Sequence, residues 1–297
     1  EAFPGQHSLQ KTEWQKNLAL IMIRRLKKDV LSLPPKTQTV TPVSITTAEE
    51  YKVAEKNFYA WILKNMRVPG GPTAFQAEAL MRLQALRGIC SRGKVEPVAA
   101  MLRGCQVHEK VIIFSTYLAP LEELKKRVGG LFYHGSLGRE ERQFFVERFQ
   151  KDPEECYFMG TYGAAGVGIT LTAADKIILM DLPWTPAAKS QAEDRAHRVG
   201  QTRPLNIVIV VAKGTVDERV LEVLAEKELI IAQIVEGKSE AEAKNASIAS
   251  DVLNRLRGEA LAAQTRPDVP LYIADEDLEE MYREASIDRR RITLREG

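Results

Sequence analysis

Short apolar runs alternate with amphipathic helical patterns through the middle of this chain. The runs are rich in Val, Ile, Leu and Phe and cover residues 111–116, 131–134, 156–160, 176–181 and 206–212. Apolar positions at helical spacing lie between the runs and after the last of them, over residues 118–128, 139–150, 186–198 and 216–235. Alternating helices and continuously apolar strands are typical of a parallel sheet that is buried on both faces. The pattern therefore predicts an α/β fold, a doubly wound parallel sheet with helices on both faces.

The pattern changes on either side of this domain. Before it, Pro34-Pro35 must end a preceding helical stretch, and a β-branched strand pattern follows at 37–45. Two helices are then predicted, over about 47–67 and 75–89, separated by a Pro-Gly loop. We expect four regions: a linker segment and strand (1–50), a helical protrusion (51–106), the α/β domain (107–236) and a helical, partly disordered tail (237–297).

Composition narrows the class of protein only a little. The chain has 297 residues, of which 44% are hydrophobic and 28% charged, as in ordinary globular proteins. A formal net charge of +2 does not indicate a nucleic-acid partner, so any DNA contact has to come from local basic groups. Three widely spaced cysteines argue against a structural zinc or a disulfide framework and favour a reduced, intracellular setting. No apolar run approaches the roughly 20 residues of a membrane helix, so no membrane partner is expected.

The most informative stretch is QAEDRAHRVGQ at residues 191–201, which we call the arginine segment. On a helix, Gln191, Arg195 and Arg198 share one face, and Asp194 lies at the edge of that face. Two guanidinium groups one turn apart suit a phosphoryl group whose charge changes during transfer. The simpler alternative is a solvated helix face with an Asp–Arg ion pair. Three residues share the neighbouring face and are expected to pack against the sheet: Ala192, Ala196 and Val199.

A second informative stretch is GTYGAAGVGITLTAAD at residues 160–175, the glycine-rich segment, which lies between two predicted strands. Small residues let backbone N–H groups approach a phosphate closely, and ligands of α/β sheets bind at the carboxyl ends of strands. Its GxxGxG order differs from the GxGxxG fingerprint, which excludes a nicotinamide-binding interpretation. The alternative is a tight crossover that packs a helix against the sheet.

The arginine segment resembles the last conserved motif of superfamily-two helicases in its Swi/Snf-type form, Gln-x-x-Asp-Arg-x-His-Arg-x-Gly-Gln. The glycine-rich segment resembles the preceding motif of that family, in which Gly166 and Gly168 align. Ala165 in place of a usual Gly and Thr170 in place of a common Asn are similar to the annealing-helicase branch. Further segments resemble family motifs in the same order and extend the resemblance over about residues 18–236: 24–36, 110–116, 134–142, 181–186 and 213–219.

This resemblance implies the second RecA-like lobe of an ATP-dependent translocase on double-stranded DNA. ATP and Mg²⁺ would be bound mainly by a first lobe, because these 297 residues contain no GxxxxGK[ST] loop and no acidic metal-binding strand end. The nearest match, Gly88 to Lys94, is followed by Val95 and preceded by a helical pattern. We interpret it as a helix that ends at Gly88 and a loop at Gly93. The expected partners are double-stranded DNA and a first RecA-like lobe preceding Glu1 in a longer protein.

The resemblance also implies roles for individual residues. Arg195 and Arg198 would reach the γ-phosphate of ATP, while Gln191 and Asp194 would orient them. The residues expected to bind the nucleotide are Gly166, Gly168, Arg195 and Arg198. The residues expected to contact DNA are Ser115, Thr116, His134, Gly135, Arg139 and Thr161. Alone, the chain is expected to bind DNA weakly and not to hydrolyse ATP.

Two alternatives stay open on the sequence. One is a non-catalytic module that binds DNA or protein and kept only a helicase-like fold; the retention of both Arg195 and Arg198 argues against it, since folding requires neither. The other is the lobe of a strand-separating helicase. That activity needs a wedge that splits the duplex, and we identify no such wedge in the sequence.

Overall fold

The computed structural model describes residues 31–65, 72–165 and 168–235, together with a few tail residues: Val252, Arg255, Leu256, Gly258 and Glu259. Three sequence predictions lie outside the described residues. They are the helical stretch before residue 31, the loop that precedes Pro72 and the predicted nucleotide-binding residue Gly166.

Among the described residues, every strand predicted from the apolar runs is present within two residues of its expected bounds. The strands are β1 (Lys36–Val43), β2 (Val111–Ser115), β3 (Leu131–Tyr133), β4 (Tyr157–Thr161), β5 (Lys176–Leu179) and β6 (Leu205–Ala212). The helices are α1 (Ala48–Asn65), α2 (Pro72–Gly93), α3 (Val95–Arg103), α4 (Leu118–Val128), α5 (Arg139–Lys151), α6 (Tyr162–Ala165), α7 (Pro186–Glu193) and α8 (Val216–Val235).

The strands form one sheet in the order β1-β6-β5-β2-β4-β3, and every neighbouring pair is parallel. The chain leaves the central strand β2 toward β3 at one edge and later returns past β2 to build the other side. Because all strands run in the same direction, their carboxyl ends meet at one edge of the sheet. The predicted doubly wound parallel sheet is confirmed.

Alternate residues of β2 supply two hydrophobic layers, one on each face of the sheet. Ile112 and Phe114 lie in a layer with residues of α1, α2, α5 and α8. Val111 and Ile113 lie in a second layer with residues of α3 and α4. All four side chains are fully buried, so helices cover both faces of the sheet as predicted. Since α1 and α2 share the core of the sheet, the division of the chain into four regions stays a prediction.

Helix α2 continues through Gly88 to Gly93, so the predicted helix end at Gly88 is wrong. Glycine weakens a helix interior by only about 1 kcal/mol, and the packing around it outweighs that cost. The predicted loop at Gly93 shrinks to one turn residue, Lys94, before α3 begins. The buried residues that flank Gly88 and hold this part of α2 on the sheet are Leu86, Ile89 and Cys90.

The described tail residues are helical and contact α8. Arg255 Nη2 donates to Glu226 Oε1 at 2.6 Å, and Arg219 Nε donates to Glu259 Oε1 at 2.7 Å. Val252 is fully buried in the core layer. None of the helices in the described part of the chain is long and apolar enough to cross a bilayer.

Candidate functional site

The strand ends bring most of the predicted DNA-contacting residues together. Ser115 at the end of β2 lies directly opposite Thr161 at the end of β4. On the far side of β4, Tyr133 of β3 lies opposite Gly160, and His134 follows at once. The register therefore places Ser115, Thr161 and His134 at one edge of the sheet.

Within this group, Ser115 is fully buried. Its hydroxyl donates to Asp181 Oδ2, and the backbone N–H of Thr116 donates to the same oxygen at 3.2 Å. The Ser115 hydroxyl also accepts from the N–H of Tyr117 at 3.0 Å, which fixes the turn into α4. This burial argues against a direct DNA contact by Ser115. Its hydrogen bonds indicate that it stabilises the end of β2 instead.

Of the remaining predicted residues, Thr116 is half-buried and its Oγ1 is shielded from solvent, while the other four are more accessible. Gly135 and Arg139 are exposed, while His134 and Thr161 are half-buried. His134 Nδ1 lies 2.6 Å from the hydroxyl of Ser136, and Thr161 Oγ1 accepts from the N–H of Ala164 at 3.3 Å. Together they form a polar surface beside the first turn of α5, of the kind that binds phosphate oxygens.

The arginine segment is not one continuous helix. Helix α7 begins with Thr185 as its N-cap, whose hydroxyl accepts from the N–H of Ala188 at 3.2 Å, followed by Pro186 at the first helical position. The helix ends at Glu193 with Asp194 as its C-cap, and turns follow to Gly200. The expectation of one helix over 186–198 is therefore wrong after Glu193.

Tertiary contacts explain where this helix stops. The carbonyl of Arg195 accepts from the N–H of Leu171 at 2.8 Å, so the glycine-rich segment takes up a backbone group that a longer helix would use internally. Ala192 and Ala196 are buried as expected, but Val199 is 70% exposed. The prediction that Val199 packs against the sheet is thus wrong, because the turns direct it into solvent.

Arg195 and Arg198 nevertheless converge on one atom. Their Nη1 atoms donate to the carbonyl of Ile169 at 3.5 Å and 3.4 Å. Gln201 at the end of the arginine segment is buried and donates to the carbonyl of Ala174 at 2.7 Å. Gly168, at a φ of 56°, takes the left-handed conformation just before Ile169. The arginine segment and the glycine-rich segment are therefore one structural unit.

The charges in this unit favour an anion. Burial and then the neighbouring charge of Arg198 lower the pKa of Arg195, against the opposing effect of Asp194. Arg198 and Gln191 are exposed, so the unit is open to solvent on one side. Two guanidinium groups at one carbonyl fit a phosphate group, which accepts from both. The described residues contain no cluster of three or more His, Cys, Asp or Glu side chains that could hold a metal.

Sequence reasoning missed a buried ion cluster behind the strand ends, which consists of Lys94, Asp181 and Asp217. Lys94 is fully buried and forms an ion pair with Asp217, while Asp181 Oδ1 lies 4.0 Å from its Nζ. The same Nζ donates to the carbonyls of Met180 at 2.8 Å and Val210 at 3.1 Å. Although burial opposes its charge, the two carboxylates raise the pKa of Lys94. Nothing in the local sequence around Lys94 signals these partners.

Comparison with known proteins gives the following similarities. A model of the helicase conserved C-terminal domain matches residues 93–200. The DNA annealing helicase and endonuclease ZRANB3 of Bos taurus is 33% identical over 231 residues, which cover 75% of this chain and 21% of that protein. The SWI/SNF-related matrix-associated actin-dependent regulator of chromatin subfamily A-like protein 1 of Xenopus tropicalis is 32% identical over 231 residues, covering 74% and 24%. The chain thus spans less than a quarter of the length of either relative.

A solved structure bears on the fold. The C-terminal part of the Fun30 ATPase domain superposes with a TM-score of 0.57 at 19% identity, over 78% of this chain and 99% of that one. At this identity the likeness concerns the fold alone. It agrees with the RecA-like architecture expected from the sequence.

Proposed function

The chain belongs to the Swi/Snf-type family of superfamily-two helicases, and we propose that it forms the second motor lobe of an ATP-dependent translocase on double-stranded DNA. The observation that supports this most directly is the convergence of Arg195 and Arg198 on the carbonyl of Ile169. Like charges held at one acceptor repel each other, and such arrangements are typical of functional sites. An anion that accepts from both groups would relieve this repulsion.

We assign the γ-phosphate of ATP as that anion. ATP supplies the transferable phosphoryl group, and a first lobe with a P-loop would hold most of the nucleotide and its Mg²⁺. Half-buried Arg195 would donate to the γ-phosphate from a fixed position, and exposed Arg198 would extend across the cleft between the lobes. Asp194 would orient Arg195. The negative charge of Asp194 attracts the guanidinium group and raises the pKa of Arg195, against the lowering by burial. Gln191, exposed on α7, keeps its predicted role at the edge of the cleft.

The glycine-rich segment would hold the arginines toward the nucleotide. Gly168 allows the turn that presents the carbonyl of Ile169 to both guanidinium groups. Gly166 keeps its predicted role beside the nucleotide. No side chain of the segment is needed for this, because a backbone carbonyl is the acceptor that both arginines share.

The strand-end surface would bind the phosphates of one DNA strand. His134, Gly135, Arg139 and Thr161 supply imidazole, backbone, guanidinium and hydroxyl groups there. Thr116 keeps its predicted place beside them, although its Oγ1 is buried. Contacts of this kind position a protein on DNA without reading its sequence. Closure of the two lobes on ATP and their reopening after hydrolysis would then move this surface along the strand.

The test replaces each arginine separately in the complete gene product that contains this chain. We expect Arg195→Ala and Arg198→Ala to lower DNA-stimulated ATP hydrolysis by about 10³-fold or more, the scale known for arginine fingers. DNA affinity should stay within about threefold, because the strand-end surface is intact. Arg103→Ala, which removes a guanidinium group more than half exposed on α3, is the matched control and should leave hydrolysis unchanged. Full ATPase activity in both variants would instead favour the non-catalytic module.

The chain by itself gives a second test. We expect weak, salt-dependent binding to duplex DNA and no ATP hydrolysis, since the P-loop belongs to the first lobe. Measurable DNA-stimulated turnover by the isolated chain would contradict the division of the site between two lobes. A strand-displacement assay with the complete protein separates translocation from strand separation. A DNA partner of this kind also places the proposed activity inside the cell.

A further inference from the structure

The segment that leads into the sheet lies directly against the arginine segment. We call residues 34–38 the leading segment. The carbonyl of Pro34 accepts from His197 Nε2 at 2.9 Å, and the carbonyl of Pro35 accepts from the N–H of Leu205 at 3.0 Å. Because proline fixes φ, these two carbonyls are held on a stiff backbone. The leading segment is therefore joined directly to His197 of the arginine segment.

A second contact joins the same two segments at Glu193. This side chain is almost completely buried at the end of α7. Its Oε2 lies 2.5 Å from Lys36 Nζ, and its Oε1 accepts from Gln38 Nε2 at 3.0 Å. Both partners belong to the leading segment. Glu193 therefore adds two contacts between the leading segment and the arginine segment to the one made by His197.

Glu193 also holds the turns that carry the arginines. Its carbonyl accepts from the N–H of Ala196 at 3.2 Å and from the N–H of His197 at 2.9 Å. The side chain faces the leading segment while the backbone shapes the turn that contains Arg195 and precedes Arg198. One residue thus contacts both parts of the structure.

Further charged groups surround Glu193 and its two partners. Buried Lys189, one turn earlier on α7, donates to Gln38 Oε1 at 3.2 Å and to Glu228 of α8 at 2.9 Å. Its Nζ also lies 3.8 Å from Glu193 Oε1. Two lysines and two glutamates share this site, and removing either lysine would leave the buried Glu193 with one cation fewer to compensate its charge.

We propose that Glu193 is a positioning residue that fixes Arg195 and Arg198 relative to the leading segment. Displacement of the leading segment, which begins just before β1, would shift the arginines with it. This inference rests on the proposed function, since it assigns a role in placing the γ-phosphate ligands. Glu193 does not itself contact the nucleotide.

The test is Glu193→Gln in the complete gene product, a change that keeps shape and removes charge. We expect kcat for DNA-stimulated ATP hydrolysis to fall by about 10- to 100-fold, as misplacement by about 1 Å can cause. The KM for ATP and the affinity for DNA should change less than about threefold. Glu96→Gln is the matched control: it removes an exposed carboxylate paired with Arg103 and Arg127, and kcat should be unaffected.

A double-mutant cycle distinguishes positioning from general damage. In a background with both Arg195→Lys and Arg198→Lys, where both forked groups are already lost, Glu193→Gln should lower kcat by less than about threefold. An equal loss in both backgrounds, or unchanged kcat in a folded Glu193→Gln protein, would overturn the inference. If Glu193→Gln does not fold, Lys36→Met decides in its place, because Lys36 is 39% exposed and its loss should produce the same pattern. If Arg195→Ala and Arg198→Ala keep full ATPase activity, the proposed function itself is wrong, whatever the result for Glu193→Gln.

Discussion

The buried ion cluster and the arginine segment both place cations near the ends of the strands, but in opposite surroundings. Lys94 is fully buried, and carboxylates and carbonyls surround its ammonium group. Arg198 is exposed, and its Nη1 and that of Arg195 both donate to the carbonyl of Ile169, at 3.4 Å and 3.5 Å. In the cluster, carboxylates compensate the charge away from solvent; in the arginine segment, the guanidinium group of Arg198 faces solvent.

This difference predicts separate roles for the two regions. A buried, compensated charge stabilises the fold only as long as all its partners remain, since breaking such a pair leaves a charge that water cannot solvate. An exposed cation next to another cation contributes little to stability, which is consistent with the proposed role in binding an anion. We therefore expect substitutions in the cluster to affect folding and substitutions in the arginine segment to affect activity.

The largest effect is expected at Lys94. Lys94→Met removes the ammonium group and leaves Asp181 and Asp217 buried together, which should lower the free energy of unfolding by about 3–5 kcal/mol. Chemical denaturation of the chain measures this. Lys52→Met, which breaks an exposed ion pair with Glu49, is the control and should cost less than about 0.5 kcal/mol. A loss at Lys94 as small as that of the control would show that the cluster is not essential for stability.

An intermediate loss of stability is expected at Gly93, next to the buried ion cluster, and Gly163 in the glycine-rich segment is its control. A Cβ on Gly93 would lie 2.3 Å from Thr47 Oγ1 and 2.6 Å from Ile45 Cβ, so Gly93→Ala should destabilise the chain by about 1–3 kcal/mol. A Cβ on Gly163, in the glycine-rich segment, would meet nothing within 4 Å. Gly163→Ala should therefore change the melting temperature by no more than about 2 °C. Equal melting temperatures for the two variants would contradict the difference in packing.

The smallest effect on folding is expected at Arg198, despite its expected importance for activity. Arg198→Ala should change the free energy of unfolding by less than about 0.5 kcal/mol, because the side chain is exposed and its bond to Ile169 is long. The same denaturation experiment measures it. A loss above about 2 kcal/mol would mean that the arginine segment is a structural element like the buried ion cluster, and it would weaken the proposed function.

Sequence patterns predicted much of this fold because its strands and helices have strong local signals. The apolar run at 111–116 becomes β2, whose residues are buried on both faces, as continuous apolar patterns require. The helical pattern that begins at residue 186 becomes α7, which starts at Pro186. By contrast, the ends of α2 and α7 were misplaced. In both helices the boundary depends on packing or hydrogen bonds with residues far along the chain.

Part of the arrangement at the strand ends also has a local origin, while the roles of these residues stay predictions. The grouping of Ser115, Thr161 and His134 follows from the rule that parallel strands end at one edge of a sheet. The burial of Ser115 could not be predicted, because its hydroxyl bonds to Asp181, which follows a different strand, β5.

By itself, the sequence determined the order of the elements, the parallel sheet and the family, since periodicity and motif spacing are properties of neighbouring residues. Only the tertiary structure decided which charges are compensated. Lys94 meets carbonyls at Met180 and Val210, and Glu193 meets Lys36, which is 157 positions away. Which residues meet at such separations depends on the order of the strands in the sheet. That is why the ion pairs, and the contact between the leading segment and the arginines, appear only in the folded chain.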